Sequence, residues 1–129
     1  MARILVVEDN RALQILLKET LDKGKHQVIT AIDGQEGLTT AQENIFDLII
    51  SDLMMPRMDG IELIREIRKE NNEVGIIAIS GGDTPATVSL LETARLVGAD
   101  AALSKPFKKQ QLLDTVEKVL RTAVVRASS

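Results

Sequence analysis

Short, continuous apolar runs that alternate with longer amphipathic segments constrain the fold of this chain most strongly. Three runs are plain, at residues 4–7, 46–50 and 75–79, and each is followed directly by polar or small residues. Runs that are apolar at every position are typical of strands buried on both faces, as in a parallel sheet. Residues 27–32 and 100–104 are weaker strand candidates in the same alternation.

Between these runs, apolar residues recur at the spacing of amphipathic helices. This spacing marks helices at Leu13, Leu16, Leu17 and Leu21, at residues 34–42, at Ile61, Ile64 and Ile67, at residues 84–98, and at Leu112, Leu113, Val116, Val119 and Leu120. Gly24 provides a stop for the first helix. Thr84 followed by Pro85 is typical of a helix start, with an N-cap residue and then proline at the first helical position.

Five strand and helix pairs in succession predict an α/β protein built from five βα units, (βα)5. Such units form a parallel sheet with helices on both faces, joined by right-handed crossovers. The expected class is the flavodoxin-like doubly wound fold, with strand order 2-1-3-4-5. The length of 129 residues fits one domain, which we place at residues 1–122, with a frayed C-terminal tail at 123–129.

The composition excludes several classes of function. The chain has no cysteine, which excludes disulfides and thiolate metal sites. A net charge of −3 and an aromatic content of 2% argue against direct nucleic-acid binding, which favours a basic surface and stacking platforms. No apolar run approaches the roughly 20 residues of a membrane-spanning helix. The N-terminus does not resemble a signal peptide, so we expect a cytoplasmic protein with no membrane partner.

The carboxyl ends of the predicted strands bring one set of reactive side chains together. Glu8 and Asp9 follow the first strand, Asp52 follows the third, and Ser80 and Lys105 belong to the ends of the fourth and fifth. Ligands of this fold bind at the switch point between the first and third strands. Three neighbouring carboxylates repel one another and favour a bound cation. Hard oxygen ligands without a nearby histidine or thiolate favour Mg²⁺ over zinc.

The lysine of this set indicates phosphoryl chemistry. An ammonium group adds nothing to a metal site, but it stabilises a phosphoryl group that is bound beside the metal. A carboxylate can act as the nucleophile and form an aspartyl phosphate. Lys105, the Ser80 hydroxyl and Mg²⁺ would together position the phosphoryl group and neutralise its charge.

Over nearly its whole length the chain resembles the response-regulator receiver domains of two-component signalling. The matching motifs are VVEDN at 6–10, DLIISDLMMP at 47–56, MDG at 58–60, ISG at 79–81 and SKPF at 104–107. Each motif is weak alone, but their order and spacing are specific in combination.

The resemblance implies a role for each residue of the site. Asp52 binds Mg²⁺ and takes the phosphoryl group. Glu8 and Asp9 hold the metal directly or through water, and the Met54 backbone carbonyl completes the protein ligands. Ser80 is the switch hydroxyl and Lys105 pairs with the phosphate. The Lys105–Pro106 bond is expected to be cis.

The resemblance also implies a signalling role. The chain would accept its phosphoryl group from a sensor histidine kinase or a histidine phosphotransfer protein and then change conformation. Its own chemistry would be limited to self-phosphorylation and slow autodephosphorylation, so it is not expected to be an enzyme acting on other substrates. We expect a monomer or a weak dimer.

One position departs from the family pattern. Receiver domains usually carry tyrosine or phenylalanine three residues before the conserved lysine, and here that position is Ala102. Alanine has no ring that could turn inward on phosphorylation. The departure leaves metal binding and phosphorylation untouched and predicts a muted response on the usual output face.

Three other functions share some of these features. A pseudo-receiver would keep the fold without phosphorylation, although here the whole set of site residues is retained. A phosphatase of the haloacid-dehalogenase type needs a second acid two residues after its aspartate, where this chain has Met54. A flavin carrier of the same fold would place a phosphate-binding loop where Glu8 and Asp9 would repel the phosphate. His26, the sole histidine, is interpreted as structural or solvated.

Overall fold

The computed structural model describes residues 1–82 and 84–128, and within them five strands alternate with five helices. The elements are β1 (Arg3–Val7), α1 (Arg11–Lys23), β2 (Gln27–Ala31), α2 (Gly34–Glu43), β3 (Leu48–Asp52), α3 (Gly60–Glu70), β4 (Gly75–Gly81), α4 (Pro85–Val97), β5 (Ala101–Lys105) and α5 (Lys109–Ala127). None of the helices described is long and apolar enough to cross a membrane.

All paired strands are parallel, and the sheet order is β2-β1-β3-β4-β5. This confirms the predicted flavodoxin-like (βα)5 fold. Successive side chains of a strand point to opposite faces, so Ile4 and Val6 join one core with α1 and α5, whereas Leu5 and Val7 join a second core with α2, α3 and α4. Two buried faces explain why the strands are apolar at every position.

The strands that carry the site extend further than the apolar runs predict. β3 begins at Leu48 and includes Asp52, whereas the predicted run covers residues 46–50. β4 likewise continues through Ser80 to Gly81. The reason is backbone pairing: β3 pairs with β1 as far as Ser51 and with β4 as far as Asp52, which lies opposite Ile79. The Asp52 carboxylate therefore projects from the end of a central strand.

Side-chain caps begin four of the helices, close to the carboxyl edge of the sheet. Asn10, Asp33, Asp59 and Thr84 each accept a hydrogen bond from the backbone N–H three residues later. A cap of this kind satisfies one of the free N–H groups of the first turn. The predicted Thr84–Pro85 helix start is confirmed. Strand ends and helix starts are thus joined by short, well-anchored loops.

Helix α5 is longer than the sequence predicts. It continues through Ala127, so most of the segment expected to form a frayed tail from residue 123 is helical, while Ser129 lies outside the described residues. Two contacts account for the extension: Ala123 is buried, and Arg126 donates to Asp100 from Nη1 at 2.8 Å and from Nη2 at 3.2 Å.

Asp100 joins three parts of the fold at the edge of the sheet opposite the site. Its carboxylate accepts from Arg126 of α5, from Arg68 Nη2 of α3 at 3.1 Å, and from the Ile76 backbone N–H of β4 at 2.9 Å. Arg68 also donates to the carbonyl of Gly98 at the end of α4. One carboxylate therefore neutralises two arginines and ties α3, β4 and α5 together.

Candidate functional site

Three carboxylates meet at the carboxyl edge of the sheet, where the sequence predicts them. Glu8 and Asp9 follow β1 and Asp52 ends β3, and one oxygen of each lies within 4.8 Å of the others. Glu8 is fully buried and Asp52 is 4% exposed, whereas Asp9 is open to solvent. The cluster is therefore buried on the side of Glu8 and Asp52 and open to solvent on the side of Asp9, so a ligand could enter it from solvent.

Lys105 connects the two buried carboxylates. From the end of β5, its Nζ donates to Glu8 Oε1 at 3.0 Å and to Asp52 Oδ2 at 3.1 Å. Burial alone would lower the pKa of this ammonium group, but its bonds to Glu8 and Asp52 outweigh burial and raise the pKa. Lys105 therefore stays charged and offsets part of the negative charge of the cluster.

The protonation of Glu8 is finely balanced. Burial of its carboxylate, reinforced by the nearby charge of Asp52, raises the pKa of Glu8 to about 7, against the opposing effect of hydrogen bonds from the Asn10 N–H and Lys105. A carboxyl group with this pKa is largely ionised only above neutral pH. A divalent cation would favour the ionised form and would displace a proton below that pH.

The donors at this site fit a magnesium ion. They are carboxylate oxygens, which Mg²⁺ prefers, and Asp9 provides an exposed ligand beside which water molecules could complete the shell. Three carboxylates and one ammonium leave a net charge of −2 when all are ionised, which a divalent ion would neutralise.

Ser80 lies near the end of β4, and Met54 lies two residues after the end of β3. Ser80 lies in β4, where it is 1% exposed and pairs in register with Ser104 of β5. The Met54 backbone N–H donates to Asp52 Oδ1 at 3.2 Å, so this residue is held against the carboxylate while its side chain is exposed. Asp52 is thereby oriented from both sides, since Lys105 contacts its other oxygen.

The loop after β4 is hydrogen-bonded to the end of β5 beside the site. The Gly82 N–H donates to the Lys105 carbonyl at 3.3 Å, and Ser104 Oγ donates to the Gly82 carbonyl at 2.9 Å. The Lys105–Pro106 bond is cis, as the resemblance implies. Because of the two hydrogen bonds at Gly82, a displacement of the loop after Ser80 would also displace the end of β5, which carries Lys105.

Sequence reasoning missed Gln14, which supports the first loop of the site. The side chain is buried, and its amide donates to the carbonyls of Glu8 and Ala31, both at 3.2 Å. These bonds hold the end of β1 against the end of β2. The signal was present in the sequence, because Gln14 is a polar residue within the predicted apolar stripe of α1.

His26 lies at the opposite edge of the sheet, which confirms its interpretation as structural. Its side chain is 8% exposed, and Nδ1 accepts a hydrogen bond from the Ala2 N–H at 3.2 Å. Nε2 lies 3.9 Å from a carboxylate oxygen of Glu117 on α5. The histidine therefore fastens the start of β1 and takes no part in the acidic site.

Known proteins share both the sequence and the geometry. The profile of the response regulator receiver domain matches residues 4–117. The response regulator ArlR of Staphylococcus aureus is 38% identical over 121 residues, which cover 94% of this chain and 53% of ArlR. The chain thus spans about half the length of the curated relatives it matches.

Solved structures agree with the fold. NtrX from Brucella abortus, in complex with ATP, superposes with a TM-score of 0.91 at 29% identity, covering 98% of this chain and 28% of NtrX. The chemotaxis response regulator CheY4 of Vibrio cholerae superposes with a TM-score of 0.83 at 34% identity, covering 92% of this chain and 98% of CheY4.

Proposed function

This chain belongs to the response regulator receiver domain family of two-component systems, and from that premise we propose that Asp52 accepts a phosphoryl group in a Mg²⁺-dependent reaction. The observation that carries the proposal is the contact of Lys105 with both Glu8 and Asp52, beside the exposed Asp9. This geometry combines a nucleophile, a metal-binding set and a cation for the phosphate. Its test is a Mg²⁺-dependent gain of a phosphoryl group from acetyl phosphate, detected by intact mass.

In the proposed reaction an oxygen of Asp52 attacks the phosphorus atom of a phosphohistidine. The bond between phosphorus and the imidazole nitrogen breaks, and its electron pair stays on the nitrogen, which takes up a proton. Asp52 becomes an aspartyl phosphate. The Lys105 ammonium group, which contacts Asp52 in the free protein, then pairs with the phosphoryl oxygens. Water later hydrolyses the acyl phosphate slowly.

The remaining site residues hold and sense the phosphoryl group. Glu8, Asp9, Asp52 and the Met54 carbonyl are the proposed protein ligands of Mg²⁺, which when bound neutralises charge that develops on the phosphoryl oxygens. The hydroxyl of Ser80 is the proposed contact through which phosphorylation changes the loop that follows β4. The donor is proposed to be a sensor histidine kinase or a histidine phosphotransfer protein, and the receiver unit to include the whole of α5, through Ala127.

Mg²⁺ is expected to stabilise the protein because it relieves repulsion among the three carboxylates. At a concentration ten times its dissociation constant, the gain in the free energy of unfolding is about 1.4 kcal/mol. The gain is expected to be larger at about pH 8 than at about pH 6, since the pKa of Glu8 is about 7 and the metal binds the ionised form. Thermal unfolding with and without millimolar Mg²⁺ measures it.

Asp9→Ala is the matched variant for this experiment, because Asp9 is exposed and its removal leaves the buried carboxylates in place. It is expected to keep the fold and lose most of the stabilisation by Mg²⁺. Equal stabilisation of the variant and the wild type would mean that the ion binds elsewhere.

The output face is expected to respond weakly, because Ala102 has no ring to turn. Ala102 is half-buried on β5, opposite Ala78. Beryllofluoride with Mg²⁺ mimics the aspartyl phosphate, and we expect it to shift amide resonances strongly at residues 80–84 and weakly at 92–97 and 112–119. Asp83, within the first of these segments, lies outside the described residues.

Ala102→Tyr supplies the matched comparison. The ring restores the usual moving part, so shifts at residues 92–97 and 112–119 are expected to grow in the variant. Shifts in the wild type that are as large there as at residues 80–84 would show that the output face responds without an aromatic ring.

A further inference from the structure

The loop between β3 and α3, residues 53–59, contains a residue with an uncommon backbone conformation. Arg57 has φ of 64°, in the left-handed region that residues with a Cβ rarely adopt. The Met58 N–H donates to the Pro56 carbonyl at 2.9 Å, which closes a tight three-residue turn with Arg57 at its centre. Such a turn persists only when contacts of the surrounding structure hold it.

The contact that holds it is an ion pair with Asp33. Oδ2 of Asp33 accepts a hydrogen bond from Arg57 Nε at 2.9 Å, and it lies 2.8 Å from Arg57 Nη2 in the ion pair. The Asp33 side chain is 6% exposed, and its other oxygen accepts from the Glu36 N–H at 2.8 Å and caps α2. The guanidinium is thus bound to a carboxylate that is itself fixed in place.

The backbones of the two loops also touch. A Cβ placed on Gly34 would lie 2.1 Å from the Met58 carbonyl oxygen and 2.7 Å from Met58 Cβ. The start of α2 therefore packs directly against the turn of residues 56–58, with no space for a side chain at position 34. Movement of this turn away from the start of α2 would break the ion pair between Arg57 and Asp33.

The same loop carries Met54, which lies three residues before Arg57. Its N–H is bonded to Asp52 Oδ1, so the position of Asp52 and the path of the loop depend on each other. The Arg57 side chain is 65% exposed and could be fully hydrated. Neither burial nor packing requires it to reach Asp33, so the pair acts on the loop rather than on the core.

We propose that Asp33 and Arg57 are positioning residues of the metal site, and that their ion pair holds loop 53–59 where the Met54 carbonyl can bind Mg²⁺. The inference rests on the proposed function, since it requires a Mg²⁺ site that includes Met54. Groups that orient metal ligands without touching the ion contribute strongly to affinity in other metal sites. Sequence spacing alone gives no sign of this pair, because 24 residues separate its members.

The test is Mg²⁺ titration by calorimetry of the wild type, Asp33→Ser, Arg57→Ala and the double variant. Serine also caps helices, so Asp33→Ser removes the ion pair and keeps α2. Each single variant is expected to bind Mg²⁺ about tenfold more weakly. The double variant is expected to be no weaker than either single variant, because both remove one contact. Lys69→Ala, which removes the exposed ion pair with Glu66, is the control and is expected to bind normally.

A second readout needs no metal. Amide hydrogen exchange at residues 53–58 is expected to be faster in both single variants of the metal-free protein than in the wild type. Wild-type affinity and wild-type exchange in the variants would overturn the inference and leave the proposed function intact. If the wild type itself bound no Mg²⁺, the proposed function would fail, and unchanged exchange in the variants would separately refute the positioning role.

Discussion

Lys105→Ala is expected to lower the free energy of unfolding of the metal-free protein by about 3 kcal/mol at about pH 8. The variant leaves the fully buried Glu8 and the nearly buried Asp52 without their shared cation. The loss is expected to be smaller at about pH 6, because the raised pKa of Glu8, about 7, means that this carboxyl is already largely protonated there. Denaturant unfolding in EDTA at both pH values measures the difference.

Mg²⁺ is expected to restore more stability to this variant than it adds to the wild type. Lysine acts as a point charge on the phosphate, and its removal takes away a positive charge that repels the metal. Lys105→Met, which keeps most of the aliphatic stem, separates the loss of charge from the loss of packing. A large fall in Mg²⁺ affinity in either variant would contradict this division between metal-binding and phosphate-binding residues.

Asp100→Ala is expected to destabilise the fold by about 3 kcal/mol while leaving the acidic site unchanged. The Arg68 side chain is 12% exposed and the Arg126 side chain 30%, and Asp100 separates their two like charges. Removal of its carboxylate leaves both buried or half-buried arginines without a negatively charged partner and deprives the Ile76 N–H of its acceptor. Burial, which has the largest effect, and the nearby charge of Arg126 already lower the pKa of Arg68.

Arg126→Gln is the matched variant for Asp100→Ala. It removes one arginine from the end of α5 and leaves the bond between Arg68 and Asp100 in place, so a smaller loss is expected. Denaturant unfolding of both variants gives the comparison. A cost below about 1 kcal/mol for Asp100→Ala would show that the cluster behaves as an ordinary surface ion pair.

Local sequence pattern predicted the strands, helices and sheet order because burial on two faces makes the strands apolar throughout. It failed where distant partners decide the structure. β3 reaches Asp52 because β4 pairs with it as far as Ile79. Helix α5 reaches Ala127 because Arg126 bonds to Asp100, 26 residues earlier. Neither partner is visible from hydrophobic periodicity.

The site could be predicted as far as topology alone determines it. Parallel strands end at one edge, so the convergence of Glu8, Asp9, Asp52 and Lys105 follows from their places at strand ends. The pair of Asp33 and Arg57 could not be foreseen, because it depends on the direction of a side chain in a left-handed turn.

Intact-mass measurement after incubation with acetyl phosphate and Mg²⁺ tests most directly whether Asp52 is the phosphoacceptor. The wild type is expected to gain one phosphoryl group, and EDTA is expected to prevent the gain. Asp52→Asn is expected to gain none, while Asp59→Asn, which changes an exposed acid of the same loop and keeps a good N-cap, is expected to match the wild type. A phosphoryl group gained by Asp52→Asn as readily as by the wild type would contradict the assignment.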